Sequence, residues 1–211
     1  MRAATGRFIS FEGIDGSGKS TQARMLADGL RAMGHDVVLT REPGGSLGAE
    51  EIRRLVLEGD TDRWSAETEI LLFTAARRDH LEKTIRPALA AGAVVITDRF
   101  ADSTRVYQGI SRGDLRAAVD ALHDLMIGVD PDLTLVIDLD PGTGLSRAVA
   151  RAGTELRFED MGVDVQRQMR AGFLELAART ARIQVIDGAG SAQGVAALVM
   201  ARVEAHLGLP S

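Results

Sequence analysis

The sequence predicts an α/β fold: a five-stranded parallel sheet with helices on both faces. Three observations predict it. Short apolar runs alternate with longer stretches of helical periodicity. Of 211 residues, 45% are apolar and only 4% aromatic, so the core is large and aliphatic. No repeat, low-complexity tract or Pro/Ser-rich linker breaks the chain, which reads as a single domain over residues 1–211.

Phe8–Glu12 reads as a buried strand, followed by a helix over Lys19–Met33 that Gly34 stops. Asp36–Thr40 reads as the second strand. Leu47–Leu57 and Ala66–Ala91 read as helices, parted by the polar stretch Gly59–Arg63. Ala93–Thr97 is the third strand, Asp114–Ile127 a helix and Leu133–Asp138 the fourth strand. Helices over Gly142–Ala152 and Val163–Arg182 flank a polar segment. Ile183–Ile186 is the fifth strand, and a helix over Ala192–Leu207 closes the chain. Strands alternating with helices pair in parallel through right-handed crossovers. Ligands of such sheets bind at the carboxyl ends of the strands.

Composition excludes several classes. With 25 basic and 30 acidic residues the net charge is −5, which argues against non-specific nucleic-acid binding. There is no cysteine, so disulfides, thiolate metal sites and a cysteine nucleophile are out. No apolar run approaches the ~20 residues of a membrane span, and Met1–Arg7 is too short for a secretory signal. A cytoplasmic protein is expected.

Gly13-Ile14-Asp15-Gly16-Ser17-Gly18-Lys19-Ser20 matches the phosphate-binding P-loop pattern in full, between a strand and a helix and with Thr21 next. Its backbone N–H groups and the helix N-terminus suit the phosphates of ATP. Lys19 reaches the β- and γ-phosphates, and Ser20 suits the Mg²⁺ that bridges them. The fold is then that of a P-loop NTPase. By the strand-end rule Arg41, Asp98 and Arg99 share the P-loop's edge. Two arginines and a carboxylate there suit phosphoryl transfer. Asp138 and Asp140 compete with Asp98 for the metal-side role; the adjoining Arg99 favours Asp98.

Phe73 and Arg77 stand four apart in a helical pattern and share a face. One would stack on a base and the other hydrogen-bond a ring carbonyl, although the same spacing also fits a core aromatic beside a surface arginine. Arg147, Arg151, Arg157, Arg167 and Arg170 concentrate in one segment. The pattern fits a solvated charged helix; opposite a P-loop it also fits a small helical lid, inserted at about 142–163, that brings arginine onto the transferring phosphate.

Phe11–Gln22, Thr40-Arg41-Glu42-Pro43-Gly44-Gly45, Leu71–Arg77 and Asp98-Arg99-Phe100 together resemble thymidylate kinase. Ser103, Thr104, Tyr107-Gln108-Gly109 and Arg157-Phe158-Glu159 extend the likeness, which runs from Phe8 to about Asp187. The resemblance implies ATP and dTMP as substrates, Mg²⁺ as cofactor and a homodimer packed through helices. It implies that Phe73 stacks on thymine, Arg77 meets its 4-carbonyl, and Thr104 and Gln108 lie at the base edge. Tyr107 fills the space of a ribose 2′-hydroxyl, and Asp15 lies near the 3′-hydroxyl. Arg41 and Arg99 hold phosphates, and Asp98 is the acidic residue at the reacting centre.

Three positions depart from the family pattern. Val106 replaces the usual alanine, Met161-Gly162-Val163 lacks an aromatic, and Gly16 stands where one branch carries a P-loop arginine. The transition-state arginine is then expected from the lid at Arg151, with Arg147 over the adenine. A kinase for another small acceptor, such as dCMP or UMP, is the nearest alternative. A GTP-hydrolysing switch would need an Asn-Lys-x-Asp motif, which the sequence lacks.

Overall fold

The computed structural model describes residues 6–59, 63–109, 114–150 and 162–208. Strands β1 (Arg7–Glu12), β2 (Val37–Arg41), β3 (Val94–Asp98), β4 (Leu133–Asp138) and β5 (Ile183–Asp187) form one sheet in the order β2-β3-β1-β4-β5. All four pairings are parallel, with Phe11 opposite Asp98 and Glu12 opposite Val136. The chain turns to opposite sides of β1 for β3 and for β4. The crevice at that reversal lies at the carboxyl end of β1, where the P-loop begins.

Helices α1 (Lys19–Ala32), α2 (Leu47–Leu57), α3 (Ala66–His80), α4 (Arg86–Ala90), α5 (Ala101–Tyr107), α6 (Arg116–Met126), α7 (Pro141–Ala150), α8 (Gly162–Arg179) and α9 (Ala192–Leu207) complete the fold. Side chains alternate between the faces of the sheet. Ile9, Phe11, Ile96 and Leu135 meet Leu26 and Leu30 of α1 and Val199 and Val203 of α9. On the opposite face Phe8 and Val95 meet Leu81, Ile85 and Phe100. There too, Val136 meets Val106, Tyr107, Met169 and Phe173. Each fully buried aliphatic side chain stabilises by roughly 1.5–3 kcal/mol.

One expectation needs correction, and one helix was not expected. The helix expected over Ala66–Ala91 is instead α3, a π-helical turn at Leu81–Ile85 and then α4. Pro87 lacks an N–H and its ring crowds the carbonyl four residues back, so one wide turn takes up the mismatch. Helix α5 was not expected: six of its seven residues are buried, but Asp102, Thr104 and Arg105 are among them, so the sequence shows no apolar stripe. Among the described residues no helix is long and apolar enough to cross a membrane.

Candidate active site

The P-loop closes on backbone that no side chain could replace. A Cβ on Gly13 would stand 2.6 Å from the Ile137 carbonyl oxygen. Gly16 has φ +78°, and its Cβ would fall 1.9 Å from the carbonyl oxygen of Gly144 in α7. The loop and α7 therefore touch through two glycines, which explains why position 16 carries no arginine. Lys19 opens α1 and its Nζ donates to the Ile14 carbonyl at 2.7 Å. Burial, with Arg99 nearby, pushes the Lys19 ammonium down to about 8.

Two cavities meet at this loop. One, of about 140 Å³, is lined by Asp15, Glu42, Pro43, Arg53, Phe73, Arg77, Arg99, Phe100, Thr104, Tyr107 and Gln108 among others. The other, of about 500 Å³, is lined by Gly16, Ser17, Gly18 and Thr21, by Arg147, by Gly188, Gly190 and Ser191 of the β5–α9 connection, and by Ala192 at the start of α9, among others. Asp15 faces the first cavity and its neighbour Gly16 the second. The P-loop is a wall common to both.

In the first cavity Arg77 is buried with α3 and fixed on two sides. Its Nε donates to Glu42 at 2.7 Å, and its Nη2 donates to the Phe100 carbonyl at 3.2 Å and to Thr104 at 3.0 Å. Gln108 donates to Glu69 at 3.2 Å. Nearer the P-loop, Arg99 holds φ +73° directly after β3. Its guanidinium donates to Asp15, to Ser103 at 3.0 Å and to the Tyr107 hydroxyl at 3.1 Å. The Tyr107 hydroxyl donates in turn to Asp15 at 3.2 Å. Burial alone would raise the Asp15 carboxyl, but Arg99 and Lys19 outweigh it and hold the group below its ordinary range.

Glu12 is a residue the sequence reading passed over. It ends β1 fully buried and accepts from the Phe100 N–H at 2.7 Å, the Ser103 N–H at 3.3 Å and the Ser103 hydroxyl at 2.6 Å. It thereby ties the P-loop strand to the turn that aims Arg99. Burial, and secondarily Asp102, pushes its carboxyl up to about 7. A carboxylate at the end of the strand, directly before the P-loop, was the available signal.

The carboxylates at the sheet edge separate clearly. Asp138 takes a two-pronged ion pair from Arg170 at 2.6 and 2.8 Å, and Asp140 accepts the Thr143 N–H at 2.9 Å at the start of α7. The Oδ1 atom of Asp98 is buried with no hydrogen-bond partner. Ser20 is exposed in the first turn of α1. Arg167 pairs with Asp164 at 2.7 Å.

Arg41 is not brought to the cavity. It is 55% exposed and pairs with Glu50 at 3.1 Å. Strand β2 is an edge strand and Arg41 its last residue, so solvent and α2 compete for it. Arg53, one helix further on, lines the cavity instead, donating to the Pro43 carbonyl at 2.6 Å. The expected lid arginines Arg151 and Arg157 lie outside the described residues.

The thymidylate kinase family model matches residues 11–199. Two relatives, both named thymidylate kinase, come from Ruegeria pomeroyi and Caulobacter vibrioides. The first is 72% identical over 97% of this chain and 98% of its own length, the second 53% identical over 97% and 99%. A crystal structure of thymidylate kinase from Ehrlichia chaffeensis superposes with a TM-score of 0.77 at 36% identity, covering 94% of this chain and 98% of that one.

Proposed function

The chain belongs to the thymidylate kinase family, and on that premise we propose a division of labour between its two cavities. The protein is an ATP-dependent dTMP kinase, giving dTDP and ADP. The cavity holding Phe73 and Arg77 takes dTMP, and the one holding Arg147 takes ATP. The observation that carries this is the shared wall: Asp15 lines one cavity and Gly16, Ser17 and Gly18 line the other. Two ligands on opposite sides of one loop meet end to end, as in-line transfer requires.

The mechanism follows from where charge develops. The attacking atom is an oxygen of the dTMP phosphate, which is largely ionised at neutral pH because its second pKa is about 6, so no general base is needed. That oxygen bonds to the γ-phosphorus while the bond to the ADP oxygen breaks. Lys19 and the loop N–H groups stabilise charge on the donor oxygens. Arg99 and Arg53 face the acceptor phosphate; Arg53 takes the role expected of Arg41. The unpartnered Oδ1 of Asp98 and the exposed Ser20 hydroxyl are hard oxygen donors that fit Mg²⁺. Bound there, Mg²⁺ would neutralise charge between the phosphates. Because Gly16 has no room for a side chain, the arginine for the transferring group is assigned to Arg151, and Arg147 to the adenine side.

Two copies of the chain pair through helices. Supporting this, α3 and α6 pack together and leave Leu71 58%, Leu125 74% and Met126 44% exposed.

The test of the activity is ADP release coupled to a spectroscopic readout, with ATP, Mg²⁺ and a panel of nucleoside monophosphates. Turnover is expected with dTMP far above dCMP, UMP and TMP carrying ribose. Equal turnover of dCMP would assign the cavity to a different acceptor.

A further inference from the structure

We propose that His80, which touches no ligand, sets the enzyme's preference for a pyrimidine bearing a 4-carbonyl by holding Arg77 through Glu42. The inference rests on the reading above that Arg77 faces the base.

Arg77 can read a base edge only if its guanidinium plane is fixed. Its Nε and Nη2 are committed to Glu42, Phe100 and Thr104. Among the described residues none accepts from its Nη1, which leaves that amine for a ligand facing the cavity. The orientation of the fork is then set by Glu42, and the carboxylate of Glu42 is in turn held from its other oxygen. His80 Nδ1 lies 3.0 Å from Glu42 Oε1. A carboxylate only accepts, so Nδ1 carries the proton and His80 donates. The ring's Nε2 then accepts the hydroxyl of Thr40 at 2.8 Å. The relay runs Thr40 to His80 to Glu42 to Arg77.

Its members come from three places: β2, the turn after it, and α3. Arg77 and His80 are three apart on one face of α3 and grip the carboxylate from both sides. His80 is 0% exposed and is not among the residues lining the cavity, so its effect on a ligand has to pass through Glu42. Its position is also fixed from behind. A Cβ on Gly45 would stand 2.3 Å from His80 Nε2, so the loop backbone closes against the ring. A buried carboxylate oxygen left without a donor would swing to find one, and Arg77 would swing with it. The chemical consequence is selective. A 4-carbonyl accepts from a guanidinium, whereas a 4-amino group is itself a donor and is repelled by a fixed one.

The test measures kcat/KM for dTMP and for dCMP, KM for ATP, and thermal melting. The variants are His80→Leu, His80→Asn, Thr40→Val and Arg77→Lys. His80→Leu should lower the dTMP-to-dCMP ratio by about tenfold, through KM for dTMP, with KM for ATP unchanged. His80→Asn places an amide donor near the position of Nδ1 and should recover most of the ratio. An unchanged ratio in folded His80→Leu, or an Asn variant no better than Leu, overturns the proposal. Should His80→Leu fail to fold, Thr40→Val decides. It removes only the hydroxyl at the far end and should lower the ratio about threefold; an unchanged ratio is refutation. Arg77→Lys keeps the buried charge but loses the fork. If it leaves the ratio intact, the reading of the cavity itself fails. If it collapses the ratio while His80→Leu does not, only the relay fails.

Discussion

The two cavities are built from different materials. The cavity proposed for ATP is mostly backbone: Gly16, Ser17, Gly18, Gly188 and Gly190 line it, together with the exposed Arg147. The cavity proposed for dTMP is mostly side chains, locked by buried partners such as the Arg77–Glu42 pair, each 4% exposed. Phosphates are the same in every nucleotide, and N–H groups of a tight loop suffice to hold them. A base and a deoxyribose have to be told apart from near relatives, which calls for fixed donors and fixed shape.

The sharpest way to break the comparison is at Lys19. Lys19→Ala should lower kcat by about 10²-fold or more with the fold retained, because its charge acts on oxygens of the transferring group. Steady-state kinetics check this, and a variant within tenfold of wild type in kcat would remove the assigned role.

Glu12 lies between the two regions and makes a prediction about pH. Its carboxyl is raised from 4.5 to about 7 in the folded chain. Between those values the native state holds a proton that the unfolded chain has released. Wild-type stability should thus fall, relative to Glu12→Gln, as pH rises from 4.5 to about 7, and be level above. The whole change is at most about 3 kcal/mol. Urea denaturation at a series of pH values measures it. Parallel curves for the two proteins would mean that Glu12 titrates in the folded chain as it does in the unfolded one.

On the acceptor side Phe73→Ala should weaken dTMP binding by roughly 1–3 kcal/mol, the usual worth of a base stacked on an aromatic. ATP affinity should stay as it was. Calorimetric titration with each nucleotide separates the two, and a loss confined to ATP would show that the cavities have been exchanged.

The smallest effect is expected at Tyr107. Tyr107→Phe loses hydrogen bonds to Arg99 and Asp15 but keeps the ring that packs edge-on against Phe173 at 6.4 Å. kcat/KM for dTMP should fall by only several-fold, on the order of 1 kcal/mol. The preference for deoxyribose over ribose should survive, since shape sets it. Loss of that preference in the Phe variant would assign the discrimination to the hydroxyl.

Sequence alone determined the parallel α/β architecture and the P-loop. Strand periodicity and a contiguous phosphate-binding motif write their geometry into neighbouring residues, where backbone angles are decided locally. Phe73 and Arg77 were also legible as a pair, since four residues along a helix always share a face. Tertiary structure alone decided who their partners are. Glu42 meets Arg77 and His80 across 35 and 38 residues, and it does so because β2 and α3 are docked in one arrangement. Packing likewise gave Asp138 to Arg170, left the Asp98 oxygen unpartnered, and put Arg53 rather than Arg41 at the cavity. Helix α5 escaped notice because its buried positions include the polar Asp102, Thr104 and Arg105, so no apolar stripe marks it as a helix. A charged side chain at a strand end has many partners within reach, and the packing of distant elements selects among them.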